Sequence, residues 1–184
     1  TVKVTVKLPK VPVSGVIVET KEYTLKPDDT AKITATVTPD NATNKELTYE
    51  SSDESVVTVS SKGKLTAKSC GYAVITCKSD DKKGYSEVCE ITVKPAKADN
   101  LKQTDKKKDS EVSFKWSKAK GATYYEIYKY SSGEYTLVKK TKQTTYTETG
   151  LKKNKNYYFK VVSVYKKGDT IIRSGYSDKL KTIA

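Results

Sequence analysis

Apolar and polar residues alternate at every second position along most of the chain. The stretch 47–76 shows this most clearly. Val57 and Val59 lie on one face of a predicted strand, and Leu65 and Ile75 continue the same alternation in later strands. A period of two predicts β-strands that bury one face and leave the other in water. Polar clusters that end in glycine separate the runs, because glycine permits the positive φ of a tight turn. No run in this stretch has helical spacing.

Four short motifs follow one another within this stretch. They are YESS at 49–52, VVTV at 56–59, GKLTA at 63–67 and GYAVI at 71–75. In this order they resemble the C-terminal half of a bacterial immunoglobulin-like domain of group 2, with Tyr49 where the family usually has Trp. The resemblance implies an immunoglobulin-like β-sandwich over residues 11–95.

The second half of the chain carries another set of apolar alternations. VSFKW at 112–116 places its apolar residues on one side of a strand, and LKKNKNYYFKVVSVY at 151–165 spaces Leu, Tyr, Phe and Val in a similar way. These segments resemble a fibronectin type III domain, and the resemblance covers residues 96–184. Tyr157 takes the place of that family's tyrosine corner, which implies that its hydroxyl bonds to upstream backbone.

The two resemblances together predict an all-β chain of two tandem immunoglobulin-like β-sandwiches, joined by a short polar linker at 94–98. Residues 1–10 also alternate, and VTVK within them echoes ITVK at 91–94. We interpret residues 1–10 as the last strand of an upstream module or as an N-terminal extension, and the chain as a piece of a longer tandem array. The residues predicted to form the two cores are Tyr49, Val57, Val59, Leu65, Ile75, Trp116, Leu151, Tyr157 and Phe159.

Positive charge is concentrated in the second half of the chain. The net charge of the whole chain is +13, and 31% of its residues are charged. Residues 1–95 hold 14 Lys against 13 Asp and Glu, which is +1, while residues 96–184 hold 21 Lys and Arg against 9 Asp and Glu, which is +12. The electrostatic attraction of acidic polymers is therefore expected from the second domain.

Runs of lysine are the candidate contacts for such polymers. The residues predicted to contact cell-wall or host acidic glycans are Lys106, Lys107, Lys108, Lys139, Lys140, Lys152, Lys153, Lys166 and Lys167. The alternative is that these lysines only keep the surface soluble. Nucleic acid is not expected as a partner, because the chain has a single Arg and base readout favours that residue.

The composition of the chain offers few of the residues that catalysis commonly uses. The chain contains no His, which removes the commonest general base and metal ligand. It has no Gly-rich phosphate loop, and the spacing of its three Cys matches no zinc pattern. We therefore predict no catalytic residue, no cofactor and no metal site. Acidic pairs at 28–29, 53–54 and 80–81 leave calcium binding by loops as an open alternative.

The three cysteines form an odd set. A hairpin between the last two strands of the first domain places Cys77 opposite Cys89, so one prediction is a Cys77–Cys89 disulfide with Cys70 left over. The other is that Cys77 and Cys89 are small core residues that never bond. Directly opposed residues on neighbouring strands lie slightly too far apart for an unstrained bridge.

The features and resemblances together predict a non-catalytic fragment of an exported bacterial cell-surface protein, acting as spacer or adhesion modules. The alternative is an accessory polyanion- or glycan-binding region of a secreted carbohydrate-active enzyme or peptidase. Expected partners are acidic glycans of the cell wall or a host, or surface proteins, and the fragment is expected to be monomeric within its longer chain. No stretch approaches the roughly twenty apolar residues of a membrane span. The expected location is extracellular, at the bacterial surface or secreted.

Overall fold

Residues 9–104 and 110–183 are described by a computed structural model. All secondary-structure elements in these two ranges are β-strands, which confirms the prediction of an all-β chain. These ranges contain no helix that is long and apolar enough to cross a membrane. The strand predicted over 1–10 lies outside the described residues, apart from Pro9 and Lys10.

The chain divides into two compact units, and the main boundary between the units lies between Thr92 and Val93. The strands of the first unit are β1 (Gly15–Val18), β2 (Glu22–Leu25), β3 (Thr30–Lys32), β4 (Ala35–Thr38), β5 (Leu47–Ser51), β6 (Val57–Val59), β7 (Lys64–Ala67), β8 (Gly71–Ser79) and β9 (Ser86–Val93). They form three sheets, ordered β1-β4, β2-β9-β8-β5 and β3-β7-β6. The predicted pairing of the last two strands, β8 and β9, is therefore confirmed.

The core of the first unit follows the predicted alternation. In β8, Ala73, Ile75 and Cys77 are buried, while Tyr72 and Val74, which alternate with them, are exposed. Other apolar side chains of this unit that are at most 1% exposed are Val57, Leu65, Ala67, Cys89 and Ile91. Tyr49 and Val59, which were also predicted for this core, are half-buried.

One predicted strand is interrupted. The alternation of Ile33, Ala35 and Val37 predicts a single strand, but β3 ends at Lys32 and β4 begins at Ala35. β3 pairs with β7, whereas β4 pairs with β1. Between them Ile33 is buried, and its amide donates to the Gly63 carbonyl at 2.9 Å. The chain passes from one sheet to another here while its apolar residues keep a period of two. The sequence pattern therefore does not distinguish one continuous strand from two strands in different sheets.

The second unit is built from two sheets. Its strands are β10 (Lys102–Gln103), β11 (Glu111–Lys115), β12 (Tyr124–Ser131), β13 (Glu134–Thr141), β14 (Thr145–Thr149), β15 (Asn156–Lys167), β16 (Thr170–Tyr176) and β17 (Leu180–Ile183). One sheet has the order β10-β11-β14, and the other has the order β13-β12-β15-β16, with β17 also paired to β15. These sheets are the two layers of a β-sandwich.

Aromatic residues fill the space between these layers. Phe114 on β11 packs against Phe159 on β15 with ring centroids 4.9 Å apart, and against Trp116 at 6.0 Å. All three are buried, and Leu151 belongs to the same cluster. Because Phe114 and Phe159 come from different sheets, their contact joins the two layers.

The tyrosine corner is present in the second unit. The backbone amide of Lys152 donates to the Tyr157 hydroxyl at 2.8 Å, and that hydroxyl reaches the Lys152 carbonyl at 3.4 Å. These bonds satisfy the polar end of a half-buried ring. They tie the start of β15 to the turn before it, as the resemblance implies.

The predicted linker at 94–98 is not wholly exposed. Ala98 is buried in the core of the second unit, and the half-buried Ala96 packs against that core. The Ala96 amide also donates to the Lys120 carbonyl at 2.9 Å. Alanine is small and apolar enough to fill such a position, so the packing of the second unit begins inside the segment predicted as linker.

Candidate functional site

Aromatic side chains cover part of the outer surface of the larger sheet in the second unit. On β12, Tyr125 and Ile127 point into the core, so the period of two turns Tyr128 and Tyr130 outward. Neighbouring strands add further tyrosines and Lys160 to the same side, and Lys179 joins them from the segment between β16 and β17. We call this surface the tyrosine face, and its members are Tyr128, Tyr130, Tyr135, Tyr158, Lys160, Tyr176 and Lys179.

Strand register brings these rings together. Tyr130 stands opposite Tyr135 on β13, and Tyr128 stands opposite Lys160 on β15. The ring centroids are 5.2 Å apart for Tyr130 and Tyr135, 6.2 Å for Tyr130 and Tyr158, 5.2 Å for Tyr128 and Tyr176, and 6.1 Å for Tyr135 and Tyr176. Tilted and edge-on contacts at these distances are favourable, so the rings support one another.

Two lysines lie over the rings. The Lys160 ammonium is 4.4 Å from the centroid of Tyr135 and 5.0 Å from that of Tyr176. The Lys179 ammonium is 5.1 Å from the centroid of Tyr158. An open groove of about 440 Å³ lies among Tyr130, Tyr135, Tyr158, Lys160 and Lys179. Cation–π attraction holds both ammonium groups at its edge.

A buried carboxylate lies on the same side of this sheet. Glu126 is 1% exposed, and it accepts hydrogen bonds from Arg173 at 2.9 and 3.1 Å and from the Tyr128 hydroxyl at 3.1 Å. The Lys140 ammonium is a further 3.4 Å ion-pair partner. The cluster ties together β12, β13 and β16, because its charged residues come from all three strands.

Protonation states follow from these contacts. The hydrogen bond from Arg173 lowers the pKa of Glu126 below its usual value, and the Tyr128 hydroxyl adds to that effect. Burial, followed by the Glu126 charge, raises the pKa of Tyr128 to about 12. Burial also raises the pKa of Tyr135, with Tyr130 as the next cause. The two phenols are therefore neutral near pH 7, while Glu126 is charged and matched by Arg173.

The lysines predicted to contact polyanions do not form one patch. Lys140 and Lys166 share an open groove of about 370 Å³ with Lys142. Lys152 and Lys153 are exposed in the turn that precedes β15. That strand rises about 3.3 Å per residue, so its two ends lie more than 30 Å apart.

The remaining predicted lysines add little to that groove. Lys139 is exposed on β13, and Lys167 is exposed at the end of β15 beside its hairpin turn. Lys106, Lys107 and Lys108 lie outside the described residues. Lys140 is also occupied by its ion pair with Glu126, so it offers less free charge than the sequence suggests.

The predicted Cys77–Cys89 disulfide is not formed. Cys70, Cys77 and Cys89 are all free thiols, and each is at most 2% exposed. Burial raises the pKa of Cys70 and of Cys89 to about 11, and it raises that of Cys77 as well. The cysteines pack as small apolar residues in the interior, which is the second of the two interpretations drawn from the sequence.

The arrangement on the tyrosine face is suited to binding a ligand. It combines ring faces, hydroxyls and two ammonium groups, but its groove is lined by no carboxylate or thiol among the described residues. The part of the chain that the structure describes also contains no group of three or more His, Cys, Asp or Glu side chains placed to hold a metal ion.

The sequence analysis missed the tyrosine face. Two signals were available: the chain contains 14 Tyr, and YKY at 128–130 places two of them on one side of a strand. Tyr135, Tyr158 and Tyr176 lie on three other strands, and nothing in the sequence states which strands are neighbours. Only the order β13-β12-β15-β16 joins them.

Comparison with known families assigns both units. Residues 12–91 match the bacterial Ig-like domain (group 2), and residues 94–178 match the fibronectin type III domain. The order is the one predicted from the sequence.

Several known proteins contain a related segment. An alpha-L-arabinofuranosidase of Bifidobacterium longum subsp. longum is 40% identical over 95 residues, which are 52% of this chain and 9% of that protein. An Ig-like virion protein of Serratia phage KSP90 is 36% identical over 92 residues, 50% of this chain and 35% of that protein. A lacto-N-biosidase of Bifidobacterium bifidum is 40% identical over 82 residues, 45% of this chain and 7% of that protein. The similarity thus spans only a small part of each enzyme.

A solved structure supports the fold of both units. A two-domain fibronectin type III segment from chicken tenascin has a TM-score of 0.55 and 11% identity, covering 94% of this chain and 98% of that one. At this identity the likeness concerns the fold alone. The chain consists of a bacterial Ig-like domain of group 2 followed by a fibronectin type III domain.

Proposed function

We propose that the chain is a non-catalytic accessory region of a longer, exported bacterial protein, in which its two β-sandwiches act as a spacer. The observation that carries this proposal is that each domain has its own filled core of strand residues. Both domains also belong to families of non-catalytic modules. A series of such modules holds a functional domain away from the surface or polymer to which the protein is attached.

Ionic clusters in the fibronectin type III domain suit it to this role. Besides the Glu126 cluster, Lys129 on β12 pairs with the buried Glu148 on β14, which also accepts a hydrogen bond from the Tyr146 hydroxyl. β12 and β14 belong to different sheets. The Lys129–Glu148 pair therefore links the two layers in addition to their apolar contact, which favours a domain that keeps its shape under load.

An exchange experiment in the longer protein tests the spacer role. Residues 12–183 are replaced by two unrelated immunoglobulin-like domains of the same total length, and in a second variant they are deleted. A spacer predicts that the exchange preserves the activity or adhesion of intact cells and that the deletion impairs it. Loss of function in both variants would contradict the proposal. Protease treatment of intact cells tests export, since only an external region is accessible to cleavage.

A second candidate concerns the longer protein itself. Two of the relatives are named as glycosidases, so the parent chain of this region is proposed to be an enzyme that acts on carbohydrate. The test is to determine the complete coding sequence of the parent gene, look for a catalytic domain in it, and assay the full-length product on polysaccharides. A parent composed only of further repeats and a wall anchor would refute this candidate and leave the spacer proposal standing.

A further inference from the structure

We propose that the tyrosine face is a binding site for acidic glycans, with the groove among Tyr130, Tyr135, Tyr158, Lys160 and Lys179 as its centre. The ligand is a pyranose chain that carries sulfate or carboxylate groups. This site is distinct from the lysine runs singled out by the sequence, and it does not depend on the spacer role. The argument rests on three features of the groove.

The first feature is the supply of open aromatic surface. Tyr130 is 43% exposed and Tyr176 is 41% exposed, and both rings are fixed by ring contacts with their neighbours. Tyr128, Tyr135 and Tyr158 beside them are half-buried, so the face offers two open rings supported by three partly covered ones. An exposed aromatic patch of this kind is typical of a ligand-binding surface. The C–H groups of a pyranose face carry partial positive charge, and they complement the negative face of an aromatic ring. Sugars also offer hydroxyls to the phenolic oxygens at the rim.

The second feature is positive charge without an ion-pair partner among the described residues. Lys160 and Lys179 lie over tyrosine rings, which attract an ammonium but supply no counter-charge. By contrast, Arg173 on the same sheet is already paired with Glu126. The groove lining itself contains both ammonium groups and no carboxylate among the described residues. This charge favours an anionic sugar over a neutral one.

The third feature is preorganisation. The rings contact one another, and the Tyr128 hydroxyl is anchored to the Glu126 carboxylate at 3.1 Å. Few side chains therefore have to be ordered when a ligand binds, which lowers the entropic cost of binding. The groove of about 440 Å³ has the size of a small-molecule site and accommodates one or two sugar rings. It is open at the surface, so a longer chain can pass across it.

The test uses the 184-residue chain and calorimetry at about 0.15 M salt, where diffuse attraction between exposed charges is screened. The probes are sulfated galactan oligosaccharides, oligogalacturonates and neutral galacto-oligosaccharides. One variant, Lys160→Gln with Lys179→Gln, removes the charges of the groove. The matched control, Lys166→Gln with Lys167→Gln, removes the same charge from exposed positions at the end of β15. A second pair compares Tyr130→Ala with Tyr130→Phe, which keeps the ring.

We expect saturable binding of at least one acidic probe and at least tenfold weaker binding of the neutral one. The groove double variant and Tyr130→Ala should each weaken binding about tenfold or more. The control double variant and Tyr130→Phe should stay within about threefold of the original chain. Unchanged melting temperatures would show that all variants fold. The preferred acidic probe then separates sulfate from carboxylate as the recognised group.

Three outcomes would overturn the proposal. They are no saturable binding to either acidic probe, equal binding of the neutral probe, and equal weakening by the control double variant, which would indicate diffuse attraction to a basic surface. None of these outcomes bears on the exchange experiment for the spacer role, because that experiment replaces the whole region.

Discussion

The guanidinium of Arg173 meets the buried carboxylate of Glu126 with two hydrogen bonds, one from Nε at 2.9 Å and one from Nη2 at 3.1 Å. Arg173 is the only arginine in the chain, which otherwise uses lysine for positive charge. A planar fork with two parallel donors fits a carboxylate in a way that a single ammonium cannot. The one arginine therefore lies at the position where a side chain with two parallel donors can bind a buried carboxylate.

Replacing this arginine by lysine should destabilise the fibronectin type III domain. Arg173→Lys keeps the charge but loses one of two charged hydrogen bonds to a buried group, at a cost of about 1–2 kcal/mol in the free energy of unfolding. Urea unfolding followed by the fluorescence of Trp116, the only tryptophan, measures it. The reverse exchange at an exposed position, Lys167→Arg, should change stability by less than about 0.5 kcal/mol. Equal effects of both variants would contradict the argument.

The same carboxylate should make stability depend on acid. Because the folded pKa of Glu126 is lowered from 4.5, its stabilising contribution is complete above the pKa of the unfolded chain and is lost as the pH falls through the folded value. Glu126→Gln should therefore be less stable than the original chain near neutral pH, and the difference should shrink in acid. Melting temperatures of both proteins between neutral pH and about pH 3 test this. A difference that stays constant over that range would contradict it.

A side chain at Gly63 should destabilise the first domain for two reasons. Its φ is +74°, and an added Cβ would lie 2.9 Å from the Ile33 carbonyl oxygen. Gly150 provides a matched control, since its φ is +72° and its Cβ would meet nothing within 4 Å. We expect Gly150→Ala to cost about 1 kcal/mol from backbone strain alone. Gly63→Ala should cost about 1–3 kcal/mol more, measured by urea unfolding with circular dichroism. Equal costs would show that the close approach is unimportant.

The cysteines should be unreactive until the chain unfolds. Burial raises the pKa of Cys70 and Cys89 to about 11, so few thiolates form near pH 8 and none is accessible. A thiol reagent should label the native chain very slowly and should count three thiols in concentrated guanidinium chloride. The variant Lys167→Cys, at an exposed position, serves as the control for rapid labelling. A count of one thiol after unfolding would instead support a Cys77–Cys89 disulfide.

The tyrosine corner should contribute measurably to stability. Tyr157→Phe removes the hydroxyl that accepts from the Lys152 amide at 2.8 Å, and we expect a loss of about 1 kcal/mol. Tyr130→Phe removes a hydroxyl from an exposed ring of the same domain and should cost less than about 0.5 kcal/mol. Both are measured by urea unfolding with Trp116 fluorescence. A Tyr157→Phe variant as stable as the original chain would show that water replaces this bond without loss.

Local periodicity accounts for much of what could be predicted. Side chains of a strand alternate between two faces, so the burial of Ala73, Ile75 and Cys77 is readable from their spacing alone. The role of Tyr157 is readable from a motif, because its bonds reach only five residues back. Such features involve residues that are close in the sequence.

Other features depend on which strands become neighbours. The break between β3 and β4 leaves the apolar period intact, so the change of sheet at Ile33 has no signature in the pattern. The fate of Cys77 and Cys89 depended on how the interior packs, and the spacing of the two residues left both answers open. The burial of Ala98, inside the segment predicted as linker, has a similar reason, since the core residues that cover it lie far along the chain.

The order of residues is enough to predict that this chain is made of β-strands, which side of most strands faces a core, and the two families to which its domains belong. The location of its candidate binding groups became visible only in the folded domain. Glu126 and Arg173 are 47 residues apart, and the tyrosine face draws on four strands. The physical reason is that the backbone hydrogen-bonding groups at the edge of a strand are the same for every possible partner strand. The packing of the whole domain therefore selects which strands pair, and this pairing decides which outward side chains become neighbours.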